Sequence, residues 1–451
     1  MEQKRSSFTG KIGFVLAAAG SAVGLGNIWR FPYLAAQYGG GIFLLVYIIL
    51  AVTFGFSLMM AEIAIGRKTR MSPMGAFRAL AKKFAFAGVL AALVPALILP
   101  YYSVIGGWVI KYFFGFLMGE GSAMAGDAYF GSYISSVGEP ILWFALFMGL
   151  TALVVLLGVD KGIEKVSKFL MPVLVVLVLF IAIYGICTLD GALDGVLYYI
   201  KPDFSKFSVM TVVAAMGQLF YSMSLAMGIM ITFGSYMKTE ISIEKSVRNI
   251  EVFDTGIAFL AGLMIIPAVF SFGGEEALSA SGPSLMFVIL PKIFATMPGG
   301  AFVGSAFFLM VLFAALTSSI SLMETVVSTV LDRWKIGRRL CCLAVLLFSL
   351  ALGCVSSLGY SAWADFKLLG MQMLDFFDFL TNSLMMPVVA FFTCFLVGYI
   401  LKPQSLIDEV ELSGPFKQKK MFAAVIRYVA PVCILIILIS SVLTAFGLLK
   451  I

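Results

Sequence analysis

The sequence predicts an all-α membrane protein of eleven transmembrane helices, folded as two inverted five-helix repeats with the first and sixth helices broken. Three observations carry that prediction. Of 451 residues, 61% are hydrophobic and 12% charged, with a mean hydropathy of +1.05; ordinary soluble domains are about 45–50% apolar and about 25% charged. Apolar stretches long enough to span a bilayer recur along the whole chain. Two of them are interrupted by glycine and polar residues at corresponding positions of the two halves, the pattern of an inverted-repeat transporter with its site at the midplane.

The spans are expected near 12–35, 42–66, 87–117, 140–158, 166–187, 208–236, 250–272, 302–331, 341–358, 370–400 and 422–449. A shorter apolar stretch at 284–297, bounded by Pro283, Pro291 and Pro298, reads as a re-entrant or surface hairpin. The organisation is then a cytoplasmic segment at 1–11, the first repeat at 12–187 and an extracellular loop at 188–207. The second repeat covers 208–400, a cytoplasmic loop 401–421, and an added eleventh span 422–451. Most of the 31 basic residues fall at the N-terminus and in alternate loops, among them Arg67, Lys68, Arg70, Lys82, Lys83, Lys161, Lys165, Arg333, Lys335, Arg339, Lys417 and Lys420. The positive-inside rule therefore puts the N-terminus in the cytoplasm and the C-terminus outside, in a multi-pass plasma-membrane (inner-membrane) arrangement. The net charge of +7 is a topology signal. The lipid bilayer is the expected partner, and no nucleic acid is.

The chain has no histidine, which excludes Ser-His and Cys-His nucleophiles, imidazole metal sites and a histidine switch. No enzyme is expected. The six cysteines lack a CxxC pair and mostly lie in apolar runs, where they act as small core residues. No cleavable signal is expected behind the polar, basic start.

Within the first span, Gly20-Ser21-Ala22-Val23-Gly24-Leu25-Gly26-Asn27 is a poor helix, because each glycine costs about 1 kcal/mol relative to alanine. The sixth span carries Ser222-Met223-Ser224-Leu225-Ala226-Met227-Gly228 at mid-depth. Close packing through small residues explains Gly24 and Gly228 but not Asn27 and Arg30. Ionisable residues at membrane depth are Arg30, Glu62, Asp254, Glu324, Asp375 and Asp378, candidates for function by position alone. Glu62 and Glu324 are expected to brace unwound backbone. In span 8, Thr317-Ser318-Ser319-Ile320-Ser321 is open to two readings: hydroxyls bonding back to the preceding turn, or oxygen ligands for a small hard cation.

The run Ala19-Gly20-Ser21-Ala22-Val23-Gly24-Leu25-Gly26-Asn27-Ile28-Trp29-Arg30-Phe31-Pro32 resembles span 1 of the neurotransmitter:sodium symporters, whose structural prototype is the bacterial leucine transporter. Gly39-Gly40-Gly41 and Glu62-Ile63-Ala64-Ile65-Gly66-Arg67 resemble the second-span pattern of that family. Gly162 and Pro172 match its Gly-X9-Pro motif at the inner end of span 5. The resemblance covers essentially all eleven spans, and eleven is a recurring bacterial form.

The resemblance implies two sodium ions and an amino-acid substrate. One sodium site corresponds to Ala22, Asn27, Ser222 and Asp254, completed by the substrate carboxylate. The other corresponds to Gly20, Val23, Ala314, Thr317 and Ser318. The substrate carboxylate would meet the amides of Leu25 and Gly26 and the Tyr102 hydroxyl. Its ammonium would meet Ala22, Tyr221, Ser222 and Ser224. Ile98, Ala226, Met227, Ser318, Ser321 and Leu322 would complete the pocket. The outer gate corresponds to Arg30 with Asp375, Asp378 being the second choice, above a lid of Tyr102 and Tyr221. The inner gate corresponds to Arg5 with Asp332.

Three positions depart from the family pattern. Phe8 replaces an inner tryptophan, so packing replaces an indole contact. Ala226-Met227-Gly228 replaces Gly-Phe-Gly or Gly-Met-Gly, which narrows the pocket by a methyl group. Ala258 replaces the serine of chloride-dependent members, while Asp254, one turn earlier, supplies a fixed negative charge beside sodium. The expected function is sodium-coupled, chloride-independent import of neutral, hydrophobic L-amino acids by alternating access. The alternatives are transport of an amine or zwitterionic osmolyte, or a non-transporting sensor on the same fold.

Overall fold

The computed structural model describes residues 6–277 and 283–445. Every principal element among them is a helix, with two isolated β-bridges as the only extended pairing. In chain order these are α1 (Lys11–Ala22), α2 (Gly26–Gln37), α3 (Gly41–Thr69), α4 (Lys82–Leu117), α5 (Gly138–Leu156) and α6 (Val159–Thr188). Then follow α7 (Val209–Ser222), α8 (Ile229–Ser235), α9 (Ile243–Gly274), α10 (Gly300–Trp334), α11 (Arg338–Leu358), α12 (Met373–Ile400) and α13 (Lys419–Thr444). Nine of the described helices are long and apolar enough to cross a membrane, or ten if the bent pair α1–α2 counts as one span. The apolar 284–297 stretch forms a short helix, Leu285–Thr296.

The glycine-rich run of the first span divides it as its composition demands. Helix α1 stops at Ala22, α2 starts at Gly26, and the two are bent by 52°. The 208–236 stretch also divides, into α7 and α8, with residues 223–228 non-helical between them. Ser224 and Ala226 there adopt left-handed backbone angles, with φ of 52° and 60°. Helix α9 starts earlier than expected, at Ile243 instead of 250.

The divided helices lie at the centre. Helix α10, the most buried of the long ones, packs along α4 and also touches α1. Helices α3 and α8 cross so closely that a Cβ on Gly66 would lie 1.9 Å from the Ile231 carbonyl oxygen, and one on Gly234 2.4 Å from that of Ile63. Small residues at such a crossing let backbones approach in a membrane, where water supplies no driving force between helices. This crossing sets α3 beside the non-helical stretch of the sixth segment.

Just before α1, Phe8 is fully buried among Phe14, Phe233 and Tyr236, the packing expected of phenylalanine at that position. Thr9 donates both its N–H (2.8 Å) and its hydroxyl to the Glu164 carboxylate. Arg67, also fully buried, ties α3 to Glu409 and to the carbonyl of Ile241 (2.9 Å). Glu324 does not brace unwound backbone. It accepts hydrogen bonds from Tyr236 (2.8 Å) and forms an ion pair with Arg338, because α10 carries it below the break.

The Gly66→Ala variant forces two backbones apart and is expected to destabilise the protein by about 1–3 kcal/mol, as overpacking does. The lowered midpoint in a thermal unfolding scan of the detergent-solubilised protein checks this.

Candidate functional site

The two helix breaks face each other across a small chamber of about 30 Å³. Its wall includes Ala22, Leu25, Gly26, Ile98, Tyr102, Tyr221, Ser224, Met227, Ser318 and Leu322, all expected from the sequence. Ser21, Gly24 and Ile229 also line it and were not anticipated. Three expected wall residues are absent. Ser222 turns instead to Asp254 (2.8 Å), Ser321 bonds back to the Thr317 carbonyl (3.0 Å), and the Ala226 amide is held from behind by Glu62. Gly24 fits because of a close approach: a Cβ there would lie 2.6 Å from the Ser318 hydroxyl and 3.0 Å from that of Tyr102.

Backbone groups freed by unwinding are expensive at membrane depth unless something takes them up. Here several are answered by side chains. Glu62, buried on α3, accepts the Ala226 N–H at 2.7 Å, the bracing role read from its position. Asn27 accepts the Gly24 N–H at 3.0 Å. Gln218 donates to the Gly26 carbonyl at 2.8 Å, and Leu25 donates to the Tyr102 hydroxyl at 3.3 Å. Ser224 donates to the Ser21 carbonyl at 2.9 Å.

Two oxygen-rich clusters flank the chamber. In the first, the Asn27 amide donates to Asp254 Oδ1 (2.8 Å) and Ser222 Oγ (2.9 Å). Tyr47 donates to the other carboxylate oxygen at 3.3 Å. Ala22 stands at the adjoining wall. Tyr47 and Gln218 were missed in the sequence, being an ordinary-looking tyrosine and glutamine 207 and 36 residues from Asp254. In the second, the carbonyls of Gly20, Ser21 and Val23 converge on Ser318 Oγ at 3.5, 3.1 and 3.3 Å. Thr317 beside it donates to the Ala314 carbonyl at 3.1 Å. Carbonyl and hydroxyl oxygens gathered in this way suit a hard cation with few formal charges, and both readings of the span 8 hydroxyls find a residue: Ser318 faces the converging carbonyls, and Ser321 bonds back. Among the described residues, no group of three or more His, Cys, Asp or Glu forms a transition-metal type of site.

Outside the chamber, and sharing Leu25 and Tyr221 with it, lies a larger cavity of about 280 Å³ lined by Trp29, Arg30, Tyr33, Tyr101, Ile105, Asp375 and Asp378. Tyr221 thus separates the two. The Arg30 guanidinium lies 5.3 Å from the centre of its ring, a cation–π contact. Both Asp375 and Asp378 line this cavity with Arg30, and no ion pair within 4 Å joins Arg30 to either among the described residues. Asp378 is held by Tyr101 and Asn382, whereas Asp375, expected as the partner of Arg30, is exposed. Of the expected inner pair, Arg5 lies outside the described residues, while Asp332 accepts the Ser72 N–H at 2.7 Å.

A chamber between two interrupted helices, in a protein of many apolar helices, is the architecture of a membrane transporter. The model of the sodium:neurotransmitter symporter family matches residues 5–121 and 125–448. The chain is 33% identical over 451 residues to the uncharacterized sodium-dependent transporter YhdH of Bacillus subtilis, covering 98% of both chains. It is 28% identical to the sodium- and chloride-dependent GABA transporter ine of Drosophila melanogaster, over 74% of this chain and 40% of that one. Among solved structures, MhsT in complex with L-phenylalanine superposes with a TM-score of 0.88 at 35% identity, covering 97% of this chain and 100% of MhsT. The protein belongs to the sodium:neurotransmitter symporter family. It is a sodium-dependent membrane transporter of a small molecule.

A left-handed alanine costs about 1–2 kcal/mol that glycine does not. Ala226→Gly is therefore expected to raise the unfolding midpoint slightly, against the usual effect of added glycine, and a thermal scan beside the parent protein measures it.

Proposed function

We propose that this protein imports neutral, hydrophobic L-amino acids together with two sodium ions by alternating access, without chloride. The supporting observation is the Asp254 carboxylate, held by Asn27, Ser222 and Tyr47 at the edge of an apolar-walled chamber. A fixed negative charge there does for sodium what a bound chloride would otherwise do.

The first sodium would take the Ala22 carbonyl, Asn27, Ser222 and Asp254, with the substrate carboxylate as its last ligand. Ion and substrate then bind as one event, since each carries charge the other needs. The carboxylate would also face the Leu25 and Gly26 amides at the start of α2, where the helix dipole favours an anion. The ammonium would meet Ser224 and the carbonyls of Ala22, Tyr221 and Ser222. The second sodium would take the carbonyls of Gly20, Val23 and Ala314 with the Thr317 and Ser318 hydroxyls. Ile98, Met227, Ile229 and Leu322 give the chamber an apolar side that the substrate side chain would face, and MhsT, of the same fold, is solved with L-phenylalanine.

In this reading the helices make eleven spans, α1 with α2 forming the first and α7 with α8 the sixth. Spans 1–5 and 6–10 form the inverted repeats, and the N-terminus lies in the cytoplasm. Arg5 and Asp332 close the inner end. The outer gate is formed by Arg30 with Asp378.

Purified protein in liposomes should take up a small set of neutral L-amino acids with sodium but not potassium, equally well in chloride and gluconate. Uptake that requires chloride overturns the role given to Asp254, and uptake of amines or osmolytes alone overturns the substrate class. Asp254→Asn removes a charged ligand contributing about 1.5–3 kcal/mol. It should raise the sodium concentration for half-maximal uptake by about tenfold or more, as measured in the same vesicles.

A further inference from the structure

On α4, consecutive tyrosines serve different cavities. The Tyr102 hydroxyl accepts the Leu25 N–H in the inner chamber, whereas the fully buried Tyr101 donates its hydroxyl to Asp378 Oδ1 at 3.1 Å. Asn382, one turn along α12, donates to the same oxygen and lies 3.3 Å from the Tyr101 hydroxyl. Thr381 completes the cluster, 3.2 Å from that hydroxyl. Both neutral donors to the carboxylate therefore sit on Oδ1, which leaves Oδ2 for Arg30 on the far side of the outer cavity. Arg30 rests on the Tyr221 ring, and no ion pair within 4 Å joins it to Asp378 among the described residues. Residues 379–385 just beyond are wound as a π-helix, a distortion that often marks functional segments.

We propose that Tyr101 is a positioning residue for the outer gate: with Asn382 it fixes Oδ1 of Asp378 so that Oδ2 meets Arg30 when the cavity closes. The inference rests on the alternating-access reading above. A carboxylate free to rotate must be ordered at the moment of closure, and that ordering opposes the closed state. A bond already made in the open state removes the cost. Because Tyr101 and Tyr102 share one turn of α4, movement of the inner lid and orientation of the outer acid are also mechanically linked.

The test is the closure of the outer cavity, which needs no knowledge of the substrate. Tyr33→Cys, in a background with Cys187→Ser, places a thiol in that cavity for a membrane-impermeant methanethiosulfonate reagent. Labelling is followed in proteoliposomes with sodium and with potassium. Tyr101→Phe should raise the labelling rate in sodium several-fold, and Asp378→Asn should do the same. The double variant should label no faster than the faster single one, since both changes remove the same contact. Asn382→Ala, which removes the other donor, should act in the same direction and decides the matter if Tyr101→Phe fails to fold. Unchanged labelling in Tyr101→Phe, or effects that multiply in the double variant, overturns the proposal. Failure of all amino-acid uptake in the parent protein would sink the transport reading but leave the labelling comparison intact.

Discussion

The structure depends on one constraint: unwound backbone at membrane depth must be satisfied by the protein itself. Residues 23–24 and 223–228 lie outside helices, and the polar atoms that answer them define the rest of the site. Glu62 is the clearest case. It reaches from α3 to the Ala226 amide, and it can do so because Gly66 and Gly234 let α3 and α8 touch. Replacing those glycines would move the brace away from the break. The crossing is therefore part of the binding site, although no residue in it touches the chamber.

The proposed coupling of ions and substrate would draw on the same region. Around the first break, Ser318 gathers the carbonyls of Gly20, Ser21 and Val23, oxygens that carry no formal charge. Asp254 is the exception, a carboxylate whose contacts are one amide and two hydroxyls. An acid with only neutral donors around it is suited to a cation that comes and goes, whereas a salt bridge such as that of Glu324 with Arg338 locks two elements together.

How much of this was legible in the sequence follows from the range of each interaction. The breaks and Asn27 were visible because glycine and polar residues in an apolar run are a local signal; Asp254 stood out as an acid at membrane depth, and the chamber wall followed from the family resemblance. Tyr47, Gln218 and Tyr101 were not visible, since a tyrosine in a membrane helix looks the same whether it meets lipid, ring or carboxylate. Asp375 and Asp378 could not be told apart by helical spacing, and both line the outer cavity with Arg30; what distinguishes them is the long-range bond of Asp378 to Tyr101. Glu324 misled because its depth matched a bracing role that its actual partner, Arg338, rules out.

The two ends of the molecule differ in a way that fixes the state described. At the end of the molecule where the chain begins, Phe8 is packed among aromatic rings, and Thr9 is bonded twice to Glu164. At the other end lies a cavity of about 280 Å³ lined by Tyr221, Arg30 and Asp378. The first of these contacts is made by residues just before α1, and the cavity is walled in part by α2, which continues the same segment past the 52° bend. In the proposed cycle the break would let α1 and α2 tilt separately, the first half leaving Glu164 while the second closes on the cavity. A continuous helix would have to move both ends as one rod, and the proposed ion ligands between Gly20 and Asn27 would move with it. Interrupting the helix puts those residues near the pivot, where motion would be least.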